Sequence, residues 1–131
     1  MELSLLLAQA NSTDLSSFVS LSFQLAFISM TAAAAFFILE QKNVIPAYRP
    51  ALTMSALIVG IAAMHYWTMS GVYTSSTSFP TELRYLDWIL TTPLMIFLFP
   101  LLIGLRRSGR GLVLGLIALD VVMILTGYLG E

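Results

Sequence analysis

The sequence contains no cysteine and a single histidine, His65. Without thiols it can form no disulfide and hold no thiolate-bound metal or redox centre. One imidazole cannot build a metal site from several histidines, so no metal is expected. Charge is scarce too: 10% of the 131 residues are Asp, Glu, Lys or Arg, and six basic against seven acidic side chains leave a formal net charge of −1. That excludes a nucleic-acid partner held by phosphate neutralisation. What is abundant is apolar. The chain is 58% hydrophobic with a mean hydropathy of +0.89, whereas a soluble domain is about 45–50% apolar and about 25% charged. It reads as an integral membrane protein whose first partner is the lipid bilayer.

A helix needs about 20 mostly apolar residues to cross roughly 30 Å of hydrocarbon. Four stretches qualify, at about 16–40, 51–73, 82–103 and 111–130. The fold class is therefore all-α, a single transmembrane domain of four helices joined by short loops. Lys42 and Arg49 lie in the first loop, and Arg106, Arg107 and Arg110 in the third; the second loop, Thr74 to Thr81, has no basic residue. By the positive-inside rule the first and third loops are cytoplasmic and the N-terminus lies outside. Met1 to Ala10 ends in Ala-Gln-Ala, but Glu2 stands where a signal peptide would carry basic charge, so cleavage is not expected. Thr13-Asp14 is the expected N-cap of the first helix. Pro46 and Pro50 bracket the first loop and Pro80 precedes the third helix, where a missing N–H costs little. Pro93 falls inside a span, where it should bend the helix and free a carbonyl near residue 89.

Ionisable side chains within a span are costly and point to function. Here they are His65 in the second span, Arg84 and Asp87 in the third, and Asp120 in the fourth. At 100° per residue, Arg84, Asp87, Thr91, Met95 and Leu98 form one stripe, polar at its outer end and apolar at its inner end. Such a stripe suits a buried cation or a proton that comes and goes. Burial and the neighbouring guanidinium act against each other on the charge of Asp87, and the sequence leaves the balance open. Two plainer readings compete: Arg84 with Glu82 marking the membrane interface while Asp87 snorkels or pairs structurally, and His65 as an interhelical hydrogen-bond residue. Asp120, at mid-span, is best read as structural glue, donating to a hydroxyl on a neighbouring helix.

The run Arg84-Tyr85-Leu86-Asp87-Trp88-Ile89-Leu90-Thr91-Thr92-Pro93-Leu94 resembles the third-helix signature of microbial rhodopsins, seven-helix proteins that carry retinal on a lysine Schiff base. His65-Tyr66 in the second span resembles the proteorhodopsin branch, and Asp120, Met123 and Gly127 match family positions in the fourth. The four spans thus resemble helices A–D of a seven-helix retinal protein. The resemblance implies Asp87 as counterion and primary proton acceptor, His65 as its partner, Arg84 on the proton-release side, and Tyr66 in the counterion cluster. It implies that Trp88, Thr91, Thr92, Met95, Met123 and Gly127 line the retinal pocket, and that Thr92 and Asp120 join the third and fourth helices. Met95 stands at the family's colour-switch position, where an apolar residue goes with green absorption. Leu98 stands where outward pumps carry a carboxylic proton donor, and leucine cannot donate.

The resemblance implies a transporter or photoreceptor, not an enzyme. Yet the only lysine, Lys42, lies in a loop, where water would hydrolyse an imine. The lysine-bearing helices E–G are therefore expected from a second chain or from a segment beyond these residues, and a homo-oligomer in the cell (inner) membrane is expected. The leading expectation is a light-driven outward proton pump, this chain supplying the acceptor half. Leu98 keeps open a slow-cycling photosensor or light switch. A third reading, a four-helix multidrug transporter, is weaker because such exporters carry a carboxylate within the first helix, whereas Glu40 closes it.

Overall fold

No glycine or proline occurs between Met1 and Glu40, so nothing interrupts a helix there. In the computed structural model, which describes residues 2–76, 78–103 and 110–131, and side chains from Asp14 onward except Arg110, α1 runs from Glu2 to Glu40. It begins well before the expected residue 16. Thr13 and Asp14 are interior to it and form no cap, because the leucine-rich stretch ahead of them is itself helical. The part apolar enough to cross a membrane, Asp14–Glu40, is nevertheless the span anticipated.

A one-turn 3-10 helix, Pro46–Tyr48, leads directly into α2, Arg49–Ser76. Arg49 is thus the first residue of a helix, and its Nε donates to the Val44 carbonyl at 3.3 Å, tying the turn to the helix start. Lys42 is exposed in the turn after α1. α3 spans Thr81–Leu102 and α4 spans Arg110–Gly130. Arg106 and Arg107 lie outside the described residues. The four spans agree with the expected ones to within a few residues, apart from the early start of α1.

Each helix packs on its neighbours in the chain, α1 on α2, α2 on α3 and α3 on α4. The helices thus follow one another in a row, in chain order. Small side chains allow the approach: Ala51, Ala56, Ala62 and Ala63 of α2 are all buried, as close packing without a hydrophobic drive requires in lipid. Large apolar side chains such as Phe18, Leu112 and Leu129 face outward, which suits a hydrocarbon solvent.

α3 continues through Pro93, and also through Pro100. Near the first proline, Thr91 Oγ1 and Thr92 Oγ1 donate to the carbonyls of Asp87 and Trp88, each at 2.8 Å. Hydroxyls of this kind support backbone polarity around a break in the helical ladder.

Candidate functional site

The face of α3 that meets α2 carries two buried polar side chains, Asp87 and Thr91, only 6% and 5% exposed. His65 of α2 reaches across the contact, and its Nδ1 lies 3.0 Å from Asp87 Oδ1. The same nitrogen is 3.0 Å from the carbonyl of Ile61, one turn back on α2. One ring N–H cannot serve both oxygens fully. Oδ1 of Asp87, closed to solvent, accordingly has no well-directed hydrogen bond among the described residues. A carboxylate in a span costs about 3 kcal/mol on insertion scales. Its burial with one oxygen short of a donor marks a place for a positive group or a proton.

Asp87, Thr91, Met95 and Leu98 border one groove of about 430 Å³, together with Tyr66, Trp88 and Thr92. Its other wall is apolar apart from Ser55, with Met30 and Phe37 from α1 and Ile58 and Ala62 from α2. The helical stripe expected of α3 is thus realised from Asp87 inward. Arg84 departs from it. Its guanidinium contacts the carboxylate of Glu131, beyond α4, and sits 5.2, 5.3 and 5.4 Å from the ring centres of Phe79, Tyr85 and Trp88. The ionisable side chain nearest Asp87 is therefore His65 on another helix and not the arginine one turn away.

Thr92 and Asp120 meet: Thr92 Oγ1 lies 2.6 Å from Asp120 Oδ2, joining α3 to α4, and its one hydrogen is shared between this oxygen and the Trp88 carbonyl. The structure does not bring Met123 or Gly127 to the groove. Met123 is exposed, and Gly127 lies against Tyr85, whose Oη would be 3.2 Å from a Cβ placed there. The α1 wall, the Glu131 partner of Arg84 and the aromatic cluster around Phe23 were not anticipated. Phe23 packs against Tyr66, Tyr73 and Phe79 with ring centres 5.9–6.3 Å apart. Helical periodicity reports which residues share a face of one helix, and it carries no signal for which face another helix covers.

Replacing Thr92 by valine is expected to lower stability by about 1 kcal/mol, because it leaves Asp120 short of a partner. In a double-mutant cycle with Asp120→Asn the two losses should be less than additive. Thermal unfolding in detergent measures both.

A family profile described as bacteriorhodopsin-like protein matches residues 17–131. The green-light absorbing proteorhodopsin of gamma-proteobacterium EBAC31A08 is 37% identical over 119 residues, 90% of this chain and 48% of that protein. The crystal structure of blue light-absorbing proteorhodopsin from Med12 superposes with a TM-score of 0.79 at 34% identity, covering 87% of this chain and 54% of that one. Xanthorhodopsin, described as a light-driven ion pump with dual chromophore, gives a TM-score of 0.76 at 34% identity over 86% of this chain and 50% of its own. The chain spans about half the length of the relatives it matches, corresponding to about their first four helices.

Proposed function

The chain belongs to the bacteriorhodopsin-like family of microbial rhodopsins, and on that premise we propose that it supplies the counterion and proton-acceptor half of a light-driven outward proton pump that uses retinal. The observation that carries this reading is Asp87, buried at an apolar groove with Oδ1 short of a donor. A groove walled by Trp88 and Met95 suits a polyene, and the carboxylate at its edge suits the cationic end of one. Lys42 is exposed in a turn, so the attachment amine would come from helices E–G, in a second chain or in a segment beyond these residues. When bound, retinal supplies light absorption and, through its cationic linkage, the proton to be moved.

The roles of the chain's own residues follow from their positions. Asp87 holds the negative charge and takes up the proton. His65 places Nδ1 3.0 Å from both Asp87 and the Ile61 carbonyl, and so can adjust to the charge on the carboxylate. Tyr66 closes the groove beside this pair. Arg84, held by Glu131 and the rings around it, keeps a positive charge on the outer side of Asp87. Thr91 and Thr92 fix the backbone around Asp87 and Trp88, and Met95 places an apolar group on the groove, which supports absorption in the green. Illumination of cells making the full-length protein with retinal should acidify the medium, and a protonophore should abolish the signal. Visible absorption without any pH change would refute pumping.

Leu98, which borders the groove, favours a second reading, a photosensor or light switch whose recovery is slow for want of a donor. Flash photolysis separates the two, because recovery over seconds without net proton flux belongs to the switch. The transporter reading loses its footing, since α1 has no carboxylate between Asp14 and Glu40 and Glu40 accepts from Asn43 Nδ2 at 3.2 Å in the turn.

For orientation in the inner membrane, the cysteine-free sequence makes single-cysteine labelling clean. A membrane-impermeant maleimide added outside intact cells should modify Ser78→Cys and spare Asn43→Cys, both of which are exposed positions. The reverse pattern would invert the assigned topology.

A further inference from the structure

Phe79 stands in the loop ahead of α3, and Pro80 after it is the N-cap of that helix. Pro80 has φ −79° and ψ 65°, and the Thr81 N–H donates to the Phe79 carbonyl at 2.9 Å, which makes an inverse γ-turn. The proline ring fixes the first of those angles, and the Arg84 N–H then opens the helical ladder on the Pro80 carbonyl at 3.2 Å. The turn brings Phe79 back onto the start of α3, its ring centre 5.2 Å from Arg84 Cζ. Tyr85 and Trp88 lie near that guanidinium too, at 5.3 and 5.4 Å, but they belong to α3 and come with helical spacing. Phe79 is the ring that the loop delivers. It also packs on Phe23 of α1, 5.9 Å away. Phe23 is buried and lies against Tyr66 and Tyr73 of α2, so one loop side chain ties the arginine to α1 and α2.

From this arrangement we propose that Phe79 is a positioning residue for Arg84: its ring holds the guanidinium turned outward, towards Glu131, and off Asp87. The hold itself needs no pigment; only its effect on proton release rests on the pumping reading above. Arg84 Nε is closed to solvent and has no acceptor among the described residues. A buried N–H without an acceptor is costly, so hydrogen bonds alone do not account for where this side chain lies. Glu131 is exposed, and an ion pair near water contributes little. Aromatic faces carry the negative side of the ring quadrupole and attract a guanidinium most where water is excluded. The rings therefore supply the hold. Phe79 is itself half exposed, and it is the contact with Phe23 that keeps its ring in place.

The test uses the full-length protein in lipid nanodiscs with Phe79→Leu, Phe79→Trp and Arg84→Gln. Because Phe79 is half exposed in a loop, leucine removes the ring without opening a core, and tryptophan restores a ring face. Two readouts apply. Without retinal, the Arg84 Nε–H proton resonance, assigned by its loss in Arg84→Gln, is shifted upfield by the surrounding rings. It should move downfield in Phe79→Leu and return in Phe79→Trp. With retinal, a pH-sensitive dye should report proton release after a flash slowed about two- to fivefold in Phe79→Leu, the worth of one guanidinium–ring contact. Phe79→Trp should regain the parent rate, and Phe79→Leu should add nothing once Arg84→Gln is present. An unmoved Nε–H resonance in Phe79→Leu would overturn the proposal. Equal slowing on the Arg84→Gln background would also overturn it, since Phe79 would then act on the loop alone. A displaced resonance with no light-driven release in the parent would uphold the hold on Arg84 and overturn the pumping reading instead.

Discussion

Asp87→Asn is expected to abolish light-driven acidification and to move the pigment's absorption to longer wavelength. The substitution keeps the size of the side chain and its place between His65 and Thr91, and removes only the charge and the capacity to bind a proton as a carboxylate. A carboxylate within hydrogen-bonding reach of a unit positive charge contributes about 4 kcal/mol at an effective dielectric constant near 20. Its loss weakens the preference for the charged partner by about a thousandfold. An uncompensated cation in the groove is stabilised less in its ground state, where the charge is localised, than in an excited state that spreads the charge. The gap between the two therefore narrows. Because Asp87 Oδ1 lacks a well-directed donor and His65 is its one close ionisable neighbour across the helix contact, no described side chain is placed to take over. A light-induced pH signal in Asp87→Asn equal to that of the parent would remove the acceptor role.

Leu98→Glu should speed recovery of the resting pigment by about a hundredfold, the lower range of what a positioned acid contributes to proton transfer. Leu98 stands eleven residues after Asp87, about 16 Å along the helix at 1.5 Å per residue. It lies on the same groove but towards the C-terminal end of α3. Leucine offers no proton there, so in the parent reprotonation relies on water reaching the groove or on a group elsewhere. A carboxyl at this position costs up to about 3 kcal/mol in a span, which burial penalty helps to keep protonated and ready to donate. Flash photolysis of the two proteins side by side gives the ratio of recovery rates. Equal rates would mean that reprotonation does not limit the cycle, and would count against the slow-switch reading as well.

Much of this was legible in the primary structure because its physics is one-dimensional. Hydropathy over about 20 residues locates a span whatever that span packs against, and the four helices appear where expected. Periodicity along α3 groups Asp87, Thr91, Met95 and Leu98, and those four do share the groove. The departure at the start of α1 has the same local origin. Helix-forming residues ahead of Thr13-Asp14 continue the helix, and a capping residue acts only where the chain preceding it has left helical geometry.

Contacts between helices are of another kind. Residues 65 and 87, 92 and 120, or 84 and 131 are brought together by how far one helix slides and turns against the next, and intrahelical spacing holds no record of that. The arginine is the clearest instance: adjacency on α3 points it at Asp87, whereas packing gives it to Glu131 and three aromatic rings. The sequence by itself determined that these residues cross a membrane as four helices and place a carboxylate within it, because transfer from water to hydrocarbon depends on composition. Only the tertiary structure decided which partners that carboxylate and the arginine meet, because those depend on a register set by side-chain volumes on two helices at once.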